Sequence, residues 1–169
     1  MIRIENEHDH SAVKEVIREA FLTAEHSDQT EHELVERLRR SQEFVPELSL
    51  VYVADDKIVG HIMFTKIKVG EQEALGMAPL SVLPTYQSQG IGSMLMKAGI
   101  ESARELGYKG IVLLGHPDYY PRFGFVKASM FNISCPFPVP DESYMALELT
   151  TGSLADINGM VEYSKAFME

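Results

Sequence analysis

Apolar and polar residues recur along this chain with two different periods, and the switches between them mark its elements. Ile2 and Ile4 alternate with polar neighbours and predict a short first strand. Asp9 or Ser11 can cap a helix whose apolar face, Val13, Val16, Ile17, Ala20 and Phe21, carries it to about Ala24. A second helix is predicted from Thr30 to Arg40, with Leu34, Val35 and Leu38 inward. Thr30 and Glu33 have the spacing of a capping box. The period then changes to two. Leu48 to Ala54 predicts a strand, Asp55-Asp56-Lys57 a turn, Ile58 to Val69 a second strand, and Gly70-Glu71-Gln72-Glu73 another turn. An apolar stretch from Ala74 to Leu83 closes at Pro84. A helical pattern from Ser93 to Leu106 stops at Gly107, a natural residue for the end of a helix. Gly110 to Gly115 reads as a buried strand, parallel to its neighbour because a helical crossover separates them.

This order predicts an α/β (α+β) fold built as one domain over 1–169. The chain has 169 residues, no internal repeat and no low-complexity linker. At 45% hydrophobic and 24% charged it has the composition of an ordinary globular protein. Its apolar runs are far shorter than a membrane span, and Met1-Ile2-Arg3-Ile4-Glu5 contains no signal-peptide apolar region. The single cysteine, Cys135, cannot form an intramolecular disulfide and suits a cytoplasmic setting. A net charge of −10 argues against nucleic acid as a partner and favours a cationic one.

The most informative segment is Gln87-Ser88-Gln89-Gly90-Ile91-Gly92, at the joint between a strand and a helix. Glycines there let backbone N–H groups close on phosphate oxygens, and a helix N-terminus adds about half a positive charge. The segment therefore predicts a pyrophosphate-bearing cofactor. No Lys follows Gly92, which excludes a P-loop, and Ser93-Met94-Leu95 breaks the dinucleotide fingerprint.

Gln-x-x-Gly-x-Gly after a strand resembles the acetyl-CoA loop of the GNAT superfamily of N-acetyltransferases. The preceding Leu80-Ser81-Val82-Leu83-Pro84-Thr85-Tyr86 is similar to the family's run before that loop. Downstream, Tyr120 to Phe125 fits the family's Tyr-x-x-x-Gly-Phe. The two motifs come in the family's order, and the likeness covers about residues 1–128. Residues 129–169, with Ser134-Cys135-Pro136-Phe137 and Met145-Ala146-Leu147-Glu148-Leu149, resemble the YhbS-like branch of predicted acetyltransferases and read as an extension of the same domain.

The resemblance implies a mixed central sheet with helices on both faces. Its parallel strands, 74–83 and 110–115, start side by side and splay apart. It implies acetyl-CoA as cofactor, with pantetheine pairing to the bare strand groups as a pseudo-strand. Leu80, Val82, Gln87, Ser88, Gln89, Gly90, Ile91, Gly92, Ser93, Tyr120 and Phe123 are the implied cofactor contacts. Lys97, about one turn into the helix, can add positive charge for the phosphates; Arg122 is expected in an exposed ion pair with Asp118, with a phosphate as its other option. The implied reaction is direct attack by a primary amine, of a small molecule or a protein, on the thioester in a ternary complex. A non-catalytic acyl-CoA sensor is the alternative, and a homodimer is an assembly the likeness allows. No metal is implied.

Such transfer needs a polarised carbonyl, a neutral amine and a proton for the leaving thiolate. Tyr120 holds the family's acid position, and Tyr119 is its rival on spacing. For the base, the chain offers His116, Asp118, Glu142 and His61. His116 ends the 110–115 strand, where α/β ligand sites gather. Glu142 belongs to an expected acidic acceptor wall with Glu25, Asp28, Glu31, Glu33, Glu36 and Asp141. Many relatives carry an Asn after this strand; Gly115-His116-Pro117-Asp118 lacks it, so that contact does not transfer.

Overall fold

A computed structural model describes residues 1–24 and 27–168. In chain order the elements are β1 (Ile2–Ile4), α1 (His10–Phe21), α2 (Glu31–Arg39), β2 (Phe44–Ala54), β3 (Lys57–Val69), β4 (Gln72–Val82) and α3 (Ile91–Glu105). There follow β5 (Gly110–Leu114), β6 (Val126–Lys127), β7 (Ile133–Ser134), β8 (Tyr144–Glu148) and β9 (Gly159–Glu162). The sheet runs β1-β2-β3-β4-β5-β8-β6. All neighbours in it are antiparallel except β4 and β5, which are parallel. β9 pairs with the end of β3 through Lys68 and Val69, beyond where β2 stops.

Two elements differ from their predicted bounds because pairing extends past the hydrophobic run. β2 begins at Phe44, opposite Thr65, with an irregular stretch to Ser49 that contains Pro46. Gln72 and Glu73 pair with Val69 and Lys68 and so belong to β4, leaving Gly70-Glu71 as the turn. The other hairpin, at Asp55 and Asp56, has φ of 53° and 60°, the paired left-handed conformation that Asp tolerates in a tight turn.

Helix capping also departs from the sequence pattern. The Thr30 side chain caps nothing in α2: its hydroxyl donates to Asp28 Oδ1 at 2.6 Å instead. A capping box does form at Asn6 and Asp9, ahead of α1. Asp9 does not cap α1 itself; it accepts from the Asn6 N–H at 2.8 Å and from Arg3. α1 ends at Phe21 rather than Ala24.

The sheet is covered on both faces. On one, α3 packs Leu95 and Met96 against Leu50, Ile62, Phe64, Leu75 and Leu113, all nearly or fully buried. Gly99 lies on the Phe64 ring, where a Cβ would come within 2.6 Å, so the helix reaches the sheet only because this residue has no side chain. On the other, α1 and α2 bury Val13, Ile17, Val35 and Leu38 over Val51 and Met63. The C-terminal segment covers the rest of that face with Tyr144, Leu154, Ile157 and Val161. Each large apolar side chain so buried contributes about 1.5–3 kcal/mol. No helix among the described residues is long and apolar enough to cross a membrane.

The feature that matters most for chemistry is where the parallel pair ends. β4 and β5 are joined only at Leu75–Ile111 and Gly76–Val112. Past Gly76, β4 runs on to Val82 while β5 turns to β8, pairing along its whole length from Gly110 to Leu114. An extra residue in β4 between Met77 and Leu80, against Phe64 and Ile62 of β3, bends the strand at this point. Pro79 lies in that bulge, one of the few places inside a sheet where a residue without an N–H does no harm.

Candidate active site

The bare edge of β4 can be assigned residue by residue. The Leu83 N–H donates to Val59 O of β3 at 2.8 Å. Backbone groups alternate along a strand, so those of Ser81 also face β3, while Leu80 and Val82 turn theirs toward the space β5 has left. Gln87 Nε2 donates to Val82 O at 3.0 Å and so covers one of them. The Leu80 and Val82 side chains point under α3: a Cβ on Gly92 would stand 3.8 and 3.9 Å from them.

The connection to α3 is a tight loop. Pro84–Tyr86 form a short 3₁₀ turn, held by a 3.0 Å hydrogen bond from Tyr86 Oη to Asp55 of the β2–β3 hairpin. Ser88 has φ of 63° and Gly90 of 84°. Gly90 is the residue before the helix, with no side-chain cap, so the N–H groups of α3's first turn point out of the helix unpaired within it. Among the described residues, nothing lies within 4 Å of the place a Gly90 Cβ would occupy. Gly90 is thus required for its left-handed backbone, and the space above it is open. Gly92 is helical and would tolerate a Cβ as far as its neighbours are concerned. The Gln89 side chain turns back to Thr85 O at 3.4 Å.

The aromatic turn 119–123 packs beside this loop. Tyr119 Oη lies 3.0 Å from Ser93 Oγ, and the Arg122 guanidinium sits 4.3 Å from the centre of the Tyr119 ring while its Nε donates to Tyr119 O. Arg122 therefore stands over Tyr119 rather than pairing with Asp118. Tyr120 turns the other way, into the core beneath α3 and edge-on to Phe125. Its ring lies against Gly115, where any Cβ would collide with it. Burial, and then Tyr119, push the Tyr120 hydroxyl up to about 12, so it stays protonated at neutral pH. Phe123 stacks edge-on to Tyr119 and touches the same core. Lys97 is exposed on α3.

The candidate bases occupy two places. Gly115 N–H donates to Ser143 O at 2.9 Å, which brings His116 and the 141–143 turn carrying Glu142 to the same end of the sheet. Both side chains are exposed there; His116 Nδ1 accepts from the Asp118 N–H at 3.3 Å. His61 is fully buried on the opposite face from α3, in β3. The expected acidic wall is partly engaged elsewhere. Glu31 accepts from Ser27 Oγ, Asp28 from Thr30, and Asp141 lies 3.7 Å from Lys127. Glu25 lies outside the described residues.

Three features escaped the sequence reading: the Ser93–Tyr119 contact, the Tyr120–Gly115 contact, and a buried polar group around His61. That last group joins Glu5, Arg39 and Ser49 to His61, with the buried Ser81 opposite His61 on β4. Its only trace in the sequence is a polar residue at alternate positions within apolar strands.

An open loop with a left-handed glycine thus stands at the end of a strand that has lost its parallel partner, the arrangement that the family resemblance of the sequence implied. The acetyltransferase (GNAT) family pattern matches residues 12–125. This chain belongs to that family. It is 31% identical to the uncharacterized N-acetyltransferase YhbS of Escherichia coli across 99% of this chain and 98% of YhbS. It is 38% identical to YjhQ, another uncharacterized N-acetyltransferase of that organism, across 82% of this chain and 77% of YjhQ. The crystal structure of Escherichia coli YhbS in complex with CoA superposes with a TM-score of 0.91 at 30% identity, over 100% of this chain and 92% of that one. A GNAT family acetyltransferase from Brucella melitensis in complex with acetyl-CoA gives 0.81 at 33% identity, over 99% and 97%. The GNAT chain thus has its relatives' fold through its C-terminal segment as well.

Proposed function

We propose that this N-acetyltransferase moves the acetyl group of acetyl-CoA to a primary amine by direct attack in a ternary complex. The observation that carries the reading is the edge of β4 from Met77 to Val82, bare on the β5 side and leading straight to the Gly90 loop. Pantetheine amides pair along Leu80 and Val82, and the pyrophosphate sits on the N–H groups of 88–93 at the α3 terminus. Arg122, fixed over Tyr119 whose hydroxyl meets Ser93, offsets phosphate charge at that terminus. The CoA and acetyl-CoA complexes of YhbS and the Brucella melitensis relative support the cofactor.

In this reading a backbone N–H of β4 polarises the thioester carbonyl and stabilises the oxyanion. Tyr120 meets the departing sulfur. A phenol at about 12 is a weak acid for a thiolate whose own pKa is about 8.5. Full transfer would be uphill by about 5 kcal/mol. Tyr120 therefore donates a strong hydrogen bond to the developing thiolate and surrenders its proton only as solvent replaces it. The acceptor amine, with an ordinary pKa of about 10.4, must lose a proton before or during attack. Glu142, exposed at the mouth, attracts the cation there by charge, and His116 at the same end of the sheet is the candidate base. The lone cysteine fits a cytoplasmic location.

Calorimetric titration with acetyl-CoA, followed by free-thiol release against a panel of primary amines, tests the reading. Binding with amine-dependent thiol release is expected. Binding without release for any amine makes the chain an acyl-CoA sensor, and absence of binding removes the cofactor assignment.

A further inference from the structure

In an acidic chain, cations that gather without partners carry information. A groove of about 690 Å³ runs between the end of α2, the part of β3 where β2 stops and β9 begins, and the segment after β9. Arg37, Arg40, Lys66, Lys68 and Lys165 line it, five of the chain's 15 Lys and Arg, against three carboxylates. The groove is therefore net positive on a protein whose net charge is −10. None of the five cations is in an ion pair among the described residues; the pairs of Arg3, Arg18, Arg39, Arg104 and Lys127 all lie elsewhere.

One of the five is held in place. Arg37 is half-buried, and its Nε donates to Ala166 O at 2.9 Å. Its Nη groups make no hydrogen bond among the described residues, which leaves the rest of the planar fork for an anion such as a carboxylate. Arg40, Lys68 and Lys165 are exposed and Lys66 is half-buried. Like charges along a concave surface repel one another and focus their field on an incoming anion. They come from three elements spread along the groove, an arrangement that suits several anionic groups in a row better than a single ion.

The groove adjoins the reacting end of the site. Tyr163 lines it, and the same ring reaches Gly76, whose Cβ would stand 3.7 Å from Tyr163 Cε1. Gly76 is the last residue of β4 that pairs with β5, the vertex of the splay. Pantetheine running from the Gly90 loop past Val82 and Leu80 carries its sulfur toward that vertex. α3 covers one face of the sheet there, and Tyr163 packs with Val112, Tyr144 and Ala146 on the other. The charge on this second face is the opposite of the acidic wall expected from the sequence.

We propose that the groove holds the carboxylate-bearing part of the acceptor, and that the acceptor is a peptide with a free N-terminal amine followed a few positions on by acidic residues. This names the acceptor class for the acetyltransfer reading above and rests on it. The amine reaches the vertex while the chain behind it extends past Tyr163 into the groove. An extended chain advances about 3.3 Å per residue, so three residues cover about 10 Å, enough to pass the Tyr163 ring. Arg37 takes a carboxylate on its fork, and the exposed cations attract the carboxylates that follow. Glu142 acts on the cationic end and the groove on the anionic body, so the acceptor's two charges are read at separate places.

The test uses two hexapeptides with the same first three residues, one ending in three glutamates and the other in three lysines. The wild type is expected to acetylate the acidic peptide with a KM at least about tenfold lower. The double variant Arg40→Glu, Lys68→Glu is expected to raise that KM at least about tenfold, to lower the KM of the lysine peptide, and to leave acetyl-CoA affinity unchanged. Damage to the fold would weaken both peptides alike; a gain for the lysine peptide comes only from charge reading in the groove. Equal KM values in the wild type, or a preference that survives the reversal, overturn the proposal. Calorimetric titration of the acidic peptide gives a readout without turnover. Its binding is expected to weaken from 50 to 500 mM salt and to be lost in the double variant. If neither peptide is acetylated, the acetyltransfer reading fails for peptide amines, and the titration still decides the groove: absent binding, or binding that the variant keeps, overturns it.

Discussion

The two sides of the β4 edge are built by different means. On the α3 side, the site is backbone: a strand that has lost its partner, a left-handed glycine at 84° and the unpaired N–H groups of a helix start. All of it lies within residues 76–93. On the other side, the polar group is made of side chains from four separate segments, Glu5, Arg39, Ser49 and His61, that meet only in the folded chain. Backbone sites need specific residue types at close spacing and leave a motif. Side-chain sites assembled across a sheet leave single polar residues inside apolar runs, which look like imperfections.

The strongest way to break this contrast is at Gly90. A Val there is strained at positive φ and fills the open space above the loop. Acetyl-CoA affinity measured by calorimetry should fall at least a hundredfold, while Tm drops only a few degrees because the surroundings of Gly90 are empty. Gly92→Ala, at a helical position with room for a Cβ, should bind nearly as well as the wild type. Equal losses in both variants would show that the left-handed residue is not what makes the loop.

Next in size is Tyr120→Phe. As a hydrogen-bond donor to sulfur, Tyr120 should contribute about a hundredfold to kcat, with acetyl-CoA affinity little changed. Because its pKa is raised to about 12, the wild-type rate should show no fall attributable to Tyr120 below about pH 10. A loss under threefold would transfer the role to Tyr119 or water.

The buried side predicts an acid-sensitive fold. His61 has a folded pKa of about 4 against an ordinary 6.5, so the unfolded chain binds more protons between those values. Stability contributed by the neutral ring is present above pH 6.5 and is lost as pH falls toward 4, by about 3 kcal/mol in all. Urea unfolding from pH 7 to 4.5 should show this slope, and His61→Gln should flatten it. An unchanged slope in the variant would place the acid sensitivity elsewhere.

The smallest effects separate two capping patterns. Asp9→Ala removes a carboxylate that serves both the Asn6 N–H and Arg3 and should cost about 1–2 kcal/mol. Thr30→Ala, whose hydroxyl caps nothing in α2, should cost under about 0.5 kcal/mol. Thermal unfolding of the two variants ranks them; the reverse order would restore the Thr30 box.

These pairs also show how much of the molecule is readable from its sequence. The order of elements, the three-strand meander, the crossover helix and the Gly90 loop follow from periodicity and glycine placement, because each is decided within a few residues. The Thr30 box has the right spacing yet does not form, since Asp28 takes the hydroxyl first. Strand ends at Phe44 and Gln72 are set by partners across the ladder and not by their own hydrophobicity. The separation of Tyr119 from Tyr120 depends on Gly115 and Ser93, each distant from the aromatic turn in sequence or hidden in an ordinary strand end. His61 is visible as one histidine among six, but nothing nearby in sequence says that Glu5 and Ser49 will meet it.

The central claim is that the bare edge of β4 and the Gly90 loop hold acetyl-CoA for transfer, and a crystal structure of this chain with CoA tests it most directly. The pyrophosphate is predicted within hydrogen-bond distance of the N–H groups of residues 88–93, pantetheine along Leu80 and Val82, and the sulfur within reach of Tyr120 Oη. CoA bound away from the splay, or a sulfur facing solvent with Tyr120 out of reach, would contradict the account.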